Sequence, residues 1–260
     1  MDLKLAGKAV IITGASSGVG LATARMLVAE GAHVVGCARD ANRLADVAEE
    51  LHGPGSFTGV AGDVLVAEDM QNLVARTLER HGRLDGLVCN AGRSLMAPLD
   101  ETTDEQIREE FDLKVFGVLH LVRAAEQHLA ASDAGSVVVI NAILARQPEH
   151  RLPVTSAARA ALLNLTKTLS NELGTAGTRV NSVSLGLVDT GQWRRRYEAS
   201  GSELDYDQWS AETVADRGIV LGRFGRAEEV AFPIVTLLSP LSGYCTGATI
   251  DVGGGVSRYI

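Results

Sequence analysis

The sequence predicts an α/β protein, a doubly wound parallel sheet with helices on both faces, as a single domain over residues 1–260. Three observations carry this. Short apolar runs and amphipathic helical patterns alternate along the whole chain, the order that builds parallel sheets. A glycine-punctuated turn joins the first apolar run to the first helix. No linker, repeat or low-complexity segment interrupts 260 residues, of which 46% are hydrophobic. Right-handed crossovers then place ligands at the carboxyl ends of the strands.

The elements follow in order. Val10-Ile11-Ile12 reads as the first strand. Thr13-Gly14-Ala15-Ser16-Ser17-Gly18-Val19-Gly20 turns the chain into a helix reaching about Glu30. Residues 33–38 form a second strand and 41–51 a helix, broken by Gly53-Pro54-Gly55. Residues 57–62 are a third strand, ending at Asp63-Val64. A helix over 68–81 stops at Gly82. Residues 84–89 are a fourth strand, followed by Asn90-Ala91-Gly92. Thr103-Asp104-Glu105-Gln106 is a capping-box pattern. It opens a long helix, 104–131, with Ile107, Phe111, Val115, Leu119 and Val122 as its apolar positions. After a fifth strand at 137–141, a second long helix covers 154–173. Ala158, Leu162, Leu165 and Leu169 share one of its faces, and Gly174 is its expected stop. A sixth strand follows at 180–184. A polar segment with Trp193, Tyr197, Tyr206 and Trp209 runs over 191–221. A helix at 227–238 and a strand at 248–252 close the chain. The two long helices carry more apolar surface than one sheet face needs, which fits packing between subunits or deeper core burial.

Composition excludes several function classes. A net charge of −8 argues against a nucleic-acid surface. Arg194-Arg195-Arg196 is the only dense basic cluster and reads as a solvated helix face. Cys37, Cys89 and Cys245 are odd in number and far apart, so they read as reduced packing residues of a cytoplasmic protein. No zinc-type spacing appears, so no metal is expected. The first residues lack the apolar core of a signal peptide, and the longest apolar run, 137–145, is too short to span a bilayer.

The turn at 13–20 carries the first chemistry. Glycines at 14, 18 and 20 let the backbone turn tightly and approach a ligand that a Cβ would block. The helix start behind them offers unpaired N–H groups and a partial positive charge, which suits a pyrophosphate. The spacing is G-x-x-x-G-x-G rather than G-x-G-x-x-G. Its place before a βαβ pattern points to nucleotide binding.

Together, Thr13 to Gly20, Asp63, Asn90-Ala91-Gly92, Arg179-Val180-Asn181-Ser182, Gly186 with Thr190, and Tyr244-Cys245-Thr246-Gly247-Ala248 resemble the short-chain dehydrogenase/reductase family over essentially the whole chain. The resemblance implies a Rossmann-type fold and a nicotinamide cofactor at Gly14, Ser16, Ser17, Gly18, Val19 and Gly20. Asp63 and Val64 would hold the adenine end. Asn90, Ala91 and Gly92, with Arg159, would line the nicotinamide ribose. Gly186, Val188 and Thr190 would meet the carboxamide end. It also implies assembly through the two long helices, as a homotetramer or beside a homologue. At the end of the second strand, where NAD-preferring relatives carry an acid for the ribose 2′-OH, this chain has Ala38 and then Arg39. The missing acid and the planar guanidinium favour NADP(H) over NAD(H), although Asp40 follows directly.

The family's catalytic Asn, Ser, Tyr and Lys fall on Lys114, Ala142, Thr155 and Arg159, and all four differ. Ala142 cannot hydrogen-bond a carbonyl oxygen. Thr155 is shorter than Tyr and far less acidic than a phenol of pKa about 10. Arg159 keeps a cation for the ribose but will not exchange protons at neutral pH. Lys114, in the cleft beside Arg159, is expected to have a lowered pKa and to serve as the proton donor in place of Tyr, with Thr155, His150 and Glu149 as other candidates. Leu185 stands where the family has Pro, and Asp251-Val252 inverts its usual Val-Asp order. Three functions are consistent with these residues. One is an NAD(P)(H)-dependent oxidoreductase of small carbonyl or alcohol substrates, with a rebuilt site and residues 191–221 as a lid. Another is a catalytically silent cofactor-binding subunit supporting an active homologue. The third, ranked last, is a non-redox enzyme of the halohydrin dehalogenase type, which Arg159 matches but Ala142 and Thr155 do not.

Overall fold

The structure, a computed structural model, describes residues 1–259. Its seven strands are β1 (Ala9–Thr13), β2 (His33–Ala38), β3 (Ser56–Ala61), β4 (Gly86–Cys89), β5 (Ser136–Ala142), β6 (Arg179–Leu185) and β7 (Thr249–Val252). All pair in parallel, in the order β3-β2-β1-β4-β5-β6-β7. The helices are α1 (Gly18–Ala29), α2 (Ala41–Glu50), α3 (Ala67–His81), α4 (Asp104–Phe111), α5 (Gly117–Ala130), α6 (Pro153–Gly174), α7 (Gly191–Ser200), α8 (Tyr206–Arg217) and α9 (Ala227–Leu238). The doubly wound sheet expected from the alternation is therefore the observed one.

Strand periodicity of two divides the core. Val10, Ile12, Val138, Ile140 and Val183 pack under α1 and α9, while Ile11, Val137, Val139 and Val180 pack under α3, α5 and α6. The direction of the chain reverses across the sheet between β1 and β4, which opens a crevice at their carboxyl ends. Motifs away from that crevice have structural work. Buried Arg179 donates to the carbonyls of Leu237, Leu238 and Ser239, closing the end of α9. Asn181 ties β6 to Cys245 and Ala248. Among the described residues no helix is long and apolar enough to cross a membrane. Cys37, Cys89 and Cys245 are free, and burial pushes the thiols of Cys37 and Cys89 up to about 12.

Two expectations need correction. β4 begins at Gly86 rather than 84, because the Asp85 carboxylate takes the Ala9 N–H at 2.8 Å in place of a ladder carbonyl. α6 does end at Gly174, as expected, and the left-handed conformation follows at Gly177, φ 83°. The long helix over 104–131 is not one α-helix. Between α4 and α5 lies a π-turn, Asp112–Phe116, closed by the Gly117 N–H on the Asp112 carbonyl. The extra residue rotates the register. Glu110, Lys114, Gly117, Val118 and Leu121 face inward, whereas Ile107, Phe111, Val115 and Leu119 are only half-buried and Phe116 is exposed.

Candidate active site

The crevice begins with the glycine turn. Gly14 has φ 68° and Gly18 φ 55°, conformations that L side chains rarely adopt. A Cβ on Gly20 would lie 2.2 Å from the Gly14 carbonyl oxygen, so α1 packs against its own loop only because no side chain intervenes. Ser17 N-caps α1 without a side-chain bond, and no acidic residue lies in the first turn. Those first N–H groups and their partial charge are available to an anion.

The loop after β4 grips this turn. Thr13 Oγ1 accepts from the Asn90 and Ala91 N–H groups at 3.0 and 3.1 Å. Asn90 Nδ2 donates to the carbonyls of Thr13 and Gly14 at 3.0 and 3.2 Å. The Asn90 amide is thus committed to the turn, although the residue still lines the crevice.

Two cavities, of about 600 and about 540 Å³, run along the crevice and share Gly14, Ser16, Ala91, Gly92 and Arg93 in their walls. The smaller one is bounded by Ala38, Arg39, Asp63 and Val64. The larger one is bounded by Ser17, Gly18, Val19, Asn90, Ala142, Arg159, Gly186, Val188 and Thr190. Among the residues expected at the cofactor, Gly20 alone is set back from the cavities, behind the turn. Asp40 lines the smaller cavity beside Arg39, and its Oδ1 accepts from the Asn42 and Arg43 N–H groups and caps α2. Sequence reasoning missed Arg43, which lines the larger cavity and reaches the Ser16 carbonyl at 3.4 Å. The signal for it was its spacing of four from Arg39 on a helix start. Strained glycines, uncapped N–H groups and two guanidinium groups at one end form a cradle that fits a dinucleotide.

At the other end, the four tetrad positions separate. Ala142 and Arg159 line the cavity; Lys114 and Thr155 do not. Arg159 donates Nη1 to the Ile140 carbonyl at 2.7 Å, and its backbone carbonyl accepts from Asn141 Nδ2. Its Nε is buried without a hydrogen-bond partner among the described residues. Burial lowers its pKa to about 10, with Glu110 opposing.

Lys114 is 2% exposed and Thr155 0%. Lys114 Nζ donates to Glu110 Oε2 and to the Arg93 carbonyl, both at 2.8 Å. Thr155 Oγ1 donates to the same Glu110 oxygen at 2.5 Å and accepts from the Leu95 N–H at 3.0 Å. The lysine expected in the cleft therefore sits behind its wall, where it holds the loop over 93–95 in place. Its lowered pKa is as expected: burial, then Arg159, brings it down to about 8 against the opposing pull of Glu110. Glu110, the centre of this network, was missed; its spacing of four from Lys114 on a helix was the available signal.

The remaining candidates are elsewhere. His150 is exposed. Glu149 lines the cavity but pairs with Arg217 of α8.

The segment over 191–221 also departs from expectation. Tyr197, Tyr206 and Trp209 pack on one another, with Tyr197 and Tyr206 centroids 5.4 Å apart, and of the four aromatics only Trp193 reaches the cavity. Trp193 rests on Phe224 and joins a small core of Ile143, Val214, Ile219 and Val256. In the arginine run Arg194 and Arg195 are exposed, as a solvated face requires, and Arg196 is half-buried. Arg194 pairs with Asp189 and lies over Tyr206, while Arg195 and Arg196 line the cavity.

Comparison with known proteins agrees with this geometry. Residues 14–257 match the family model described as enoyl-(acyl carrier protein) reductase. A short-chain oxidoreductase from Pseudomonas aeruginosa PAO1, described as containing an atypical catalytic center, is 42% identical in its apo structure; the match has a TM-score of 0.93 and covers 98% of this chain and 99% of that one. Its NADPH-bound structure aligns at 41% identity and a TM-score of 0.92, over 97% and 98% of the two chains. L-Sorbose reductase from Gluconobacter frateurii, solved with NADPH and L-sorbose, is 31% identical over 100% of both chains, with a TM-score of 0.94. Dehydrogenase/reductase SDR family member 4 of Pongo abelii is 33% identical over 253 residues, covering 96% of this chain and 88% of that protein.

Proposed function

This chain belongs to the short-chain dehydrogenase/reductase family, and from that premise we propose that it is an NADP(H)-dependent oxidoreductase of carbonyl and alcohol substrates, with a guanidinium in place of the family's tyrosine–lysine pair. The observation that carries this reading is the pair of adjoining cavities, which follows the crevice from Arg39 to Arg159 and is not filled by side chains.

When bound, the nicotinamide cofactor supplies or accepts the hydride. The turn at Gly14 to Gly20 holds its phosphates, Arg39 and Arg43 favour a 2′-phosphate, and Arg159 with Gly92 holds the ribose near the nicotinamide. Arg159 also places a permanent cation where charge develops on the substrate oxygen, a fixed electrostatic contribution that needs no proton exchange. The larger cavity is lined by no His, Lys, Tyr or Cys side chain. The proton for that oxygen therefore comes from water in the cleft, and Lys114 and Glu110 keep the adjacent loop in place. NADPH oxidation against a panel of carbonyl compounds tests the reading, with calorimetry of all four cofactor forms beside it. Binding without tighter NADPH than NADH refutes the cofactor preference. A pH–rate profile that loses one ionisation in Lys114→Met returns the proton to the lysine.

Ala142 and the sealed Thr155 leave no hydroxyl at the family's reacting position, and this favours a second reading, a cofactor-binding subunit that supports an active homologue. NADPH binding with no turnover across the panel would select it. We also propose a cytoplasmic oligomer, a homotetramer or a mixed assembly. The half-buried stripe of Ile107, Phe111, Val115 and Leu119 beside exposed Phe116 supports this. A monomer by light scattering, alone and with homologues, would contradict it.

A further inference from the structure

We infer that the substrate of this site is an anion, a carbonyl compound or its alcohol carrying a carboxylate or phosphate group, and that Arg196 reads its charge. The inference rests on the oxidoreductase reading and adds the class of substrate.

The protein carries a net charge of −8, yet its larger cavity is lined by six arginines and one carboxylate, Glu149. Most of these cations are accounted for. Arg217 pairs with Glu149, and Arg93 pairs with Glu109 at 2.7 Å. Arg43 reaches the glycine turn, and Arg159 stands at the proposed ribose position. Arg195 lies at Gly191, next to Thr190, whose methyl faces Gly18. That is the phosphate side of the cleft.

Arg196 is different. Like Arg195, it has neither a carboxylate partner nor a hydrogen bond among the described residues, but Arg195 is exposed whereas Arg196 is half-buried. Burial lowers its pKa. Its guanidinium carbon lies 4.6 Å from the centre of the Trp193 ring, which offsets part of the desolvation. Trp193 in turn packs on Phe224 and the Ile143 core. The cation is thereby tied, through Trp193, to the small core that contains Ile143, in the wall of the cavity that Ala142 also lines. A half-buried, unpaired guanidinium resting on an aromatic ring is matched by an oxyanion with two oxygens in one plane, as in a carboxylate or a phosphate. A neutral substrate would leave it unpaired.

Two matched pairs test this and separate the two anion sources: 2-oxobutanoate against its methyl ester, and dihydroxyacetone phosphate against dihydroxyacetone. Each compound is titrated calorimetrically into the protein, with and without NADP⁺, and assayed by NADPH oxidation. In at least one pair the anion is expected to bind about tenfold or more tightly than its neutral partner, a margin typical of a charged hydrogen bond. Added salt should weaken the anion alone. Arg196→Gln should remove the preference and Arg196→Lys should keep part of it, while NADP⁺ affinity stays the same in both; thermal melts confirm folding. Equal binding within both pairs, no binding of any of the four, or a preference that survives Arg196→Gln overturns the inference. Failure to bind NADP⁺ removes the oxidoreductase reading instead, and the titrations without cofactor then decide the anion question separately.

Discussion

The two ends of the cleft are made of different material. The end between Gly14 and Asp63 is shaped by backbone: left-handed glycines, a free helix start, and an amide from Asn90 that clamps two carbonyls. The end between Ala142 and Arg196 is shaped by side chains and by what they pair with: Arg159 unpaired at Nε, Arg217 neutralised by Glu149, Lys114 turned away toward Glu110. Backbone geometry tolerates almost no exchange, because a single Cβ closes it. Side-chain chemistry can be replaced residue by residue while the sheet beneath stays the same. This is how a chain can keep the family's cofactor half and carry a different centre on the same scaffold.

The contrast can be attacked first at its most buried point. Glu110→Ala leaves Lys114 and Thr155 buried without their shared acceptor, and should lower unfolding stability by about 3–5 kcal/mol in urea titrations. The paired change Glu110→Leu with Lys114→Met should recover most of that loss. A loss below about 1 kcal/mol, the level of an exposed pair, would mean that this wall is as dispensable as a surface.

Gly20→Ala comes next, at the backbone end. The added Cβ must displace the Gly14 carbonyl, which lies 2.2 Å from its position. Overpacking of this kind costs about 1–3 kcal/mol, so NADP⁺ affinity by calorimetry should fall about 10- to 100-fold, with a modest drop in melting temperature. Unchanged affinity would show that the turn yields as easily as a side chain does.

Arg39→Gln is smaller and selective. It should weaken NADPH binding about tenfold, the range of one charged hydrogen bond, and leave NADH unaffected. Equal losses for both would give Arg39 no part in cofactor choice.

The smallest effect is in pH. The folded pKa of Lys114, about 8, lies below its ordinary 10.5. Below pH 8 both the folded and unfolded chains hold this proton and the group adds no slope. Between about 8 and 10.5 the unfolded chain binds more protons, so stability should rise with pH through that window relative to Lys114→Met. Only its first part is reachable before other groups titrate. Urea unfolding at pH 7, 8 and 9 measures it, and a difference that stays flat or falls would reverse the sign of the lysine's contribution.

Most of the fold was legible. Alternating runs such as Val137-Val138-Val139-Ile140 fix both the strand and its two faces, and every expected strand and helix lies within two residues of its place apart from the long helix over 104–131, while α7 and α8 lie in the segment over 191–221, for which the sequence marks no helix range. The cofactor end was legible for the same reason, since Gly14, Gly18 and Gly20 announce a backbone need. What stayed hidden depends on direction rather than identity. Nothing in the letters Lys114 and Thr155 says that both turn toward Glu110, and nothing in Arg194-Arg195-Arg196 says which two line a cavity. Those outcomes depend on helix phase and on partners far away in sequence.

The π-turn at Asp112–Phe116 is one such phase setting, and it has a genetic consequence. A turn of this kind holds one residue more than an α-turn, so it is what a single-codon insertion leaves in a helix. Deleting one residue there would not merely shorten the chain. It would swing α4 by about 100° against α5, the angle of one residue in an α-helix, taking Glu110 off the cleft wall and moving Ile107 and Phe111 to a different side. The lysine's burial and the outward apolar stripe would be lost in one event. These two surfaces are thus linked in inheritance, and a relative without the extra residue should lack both together.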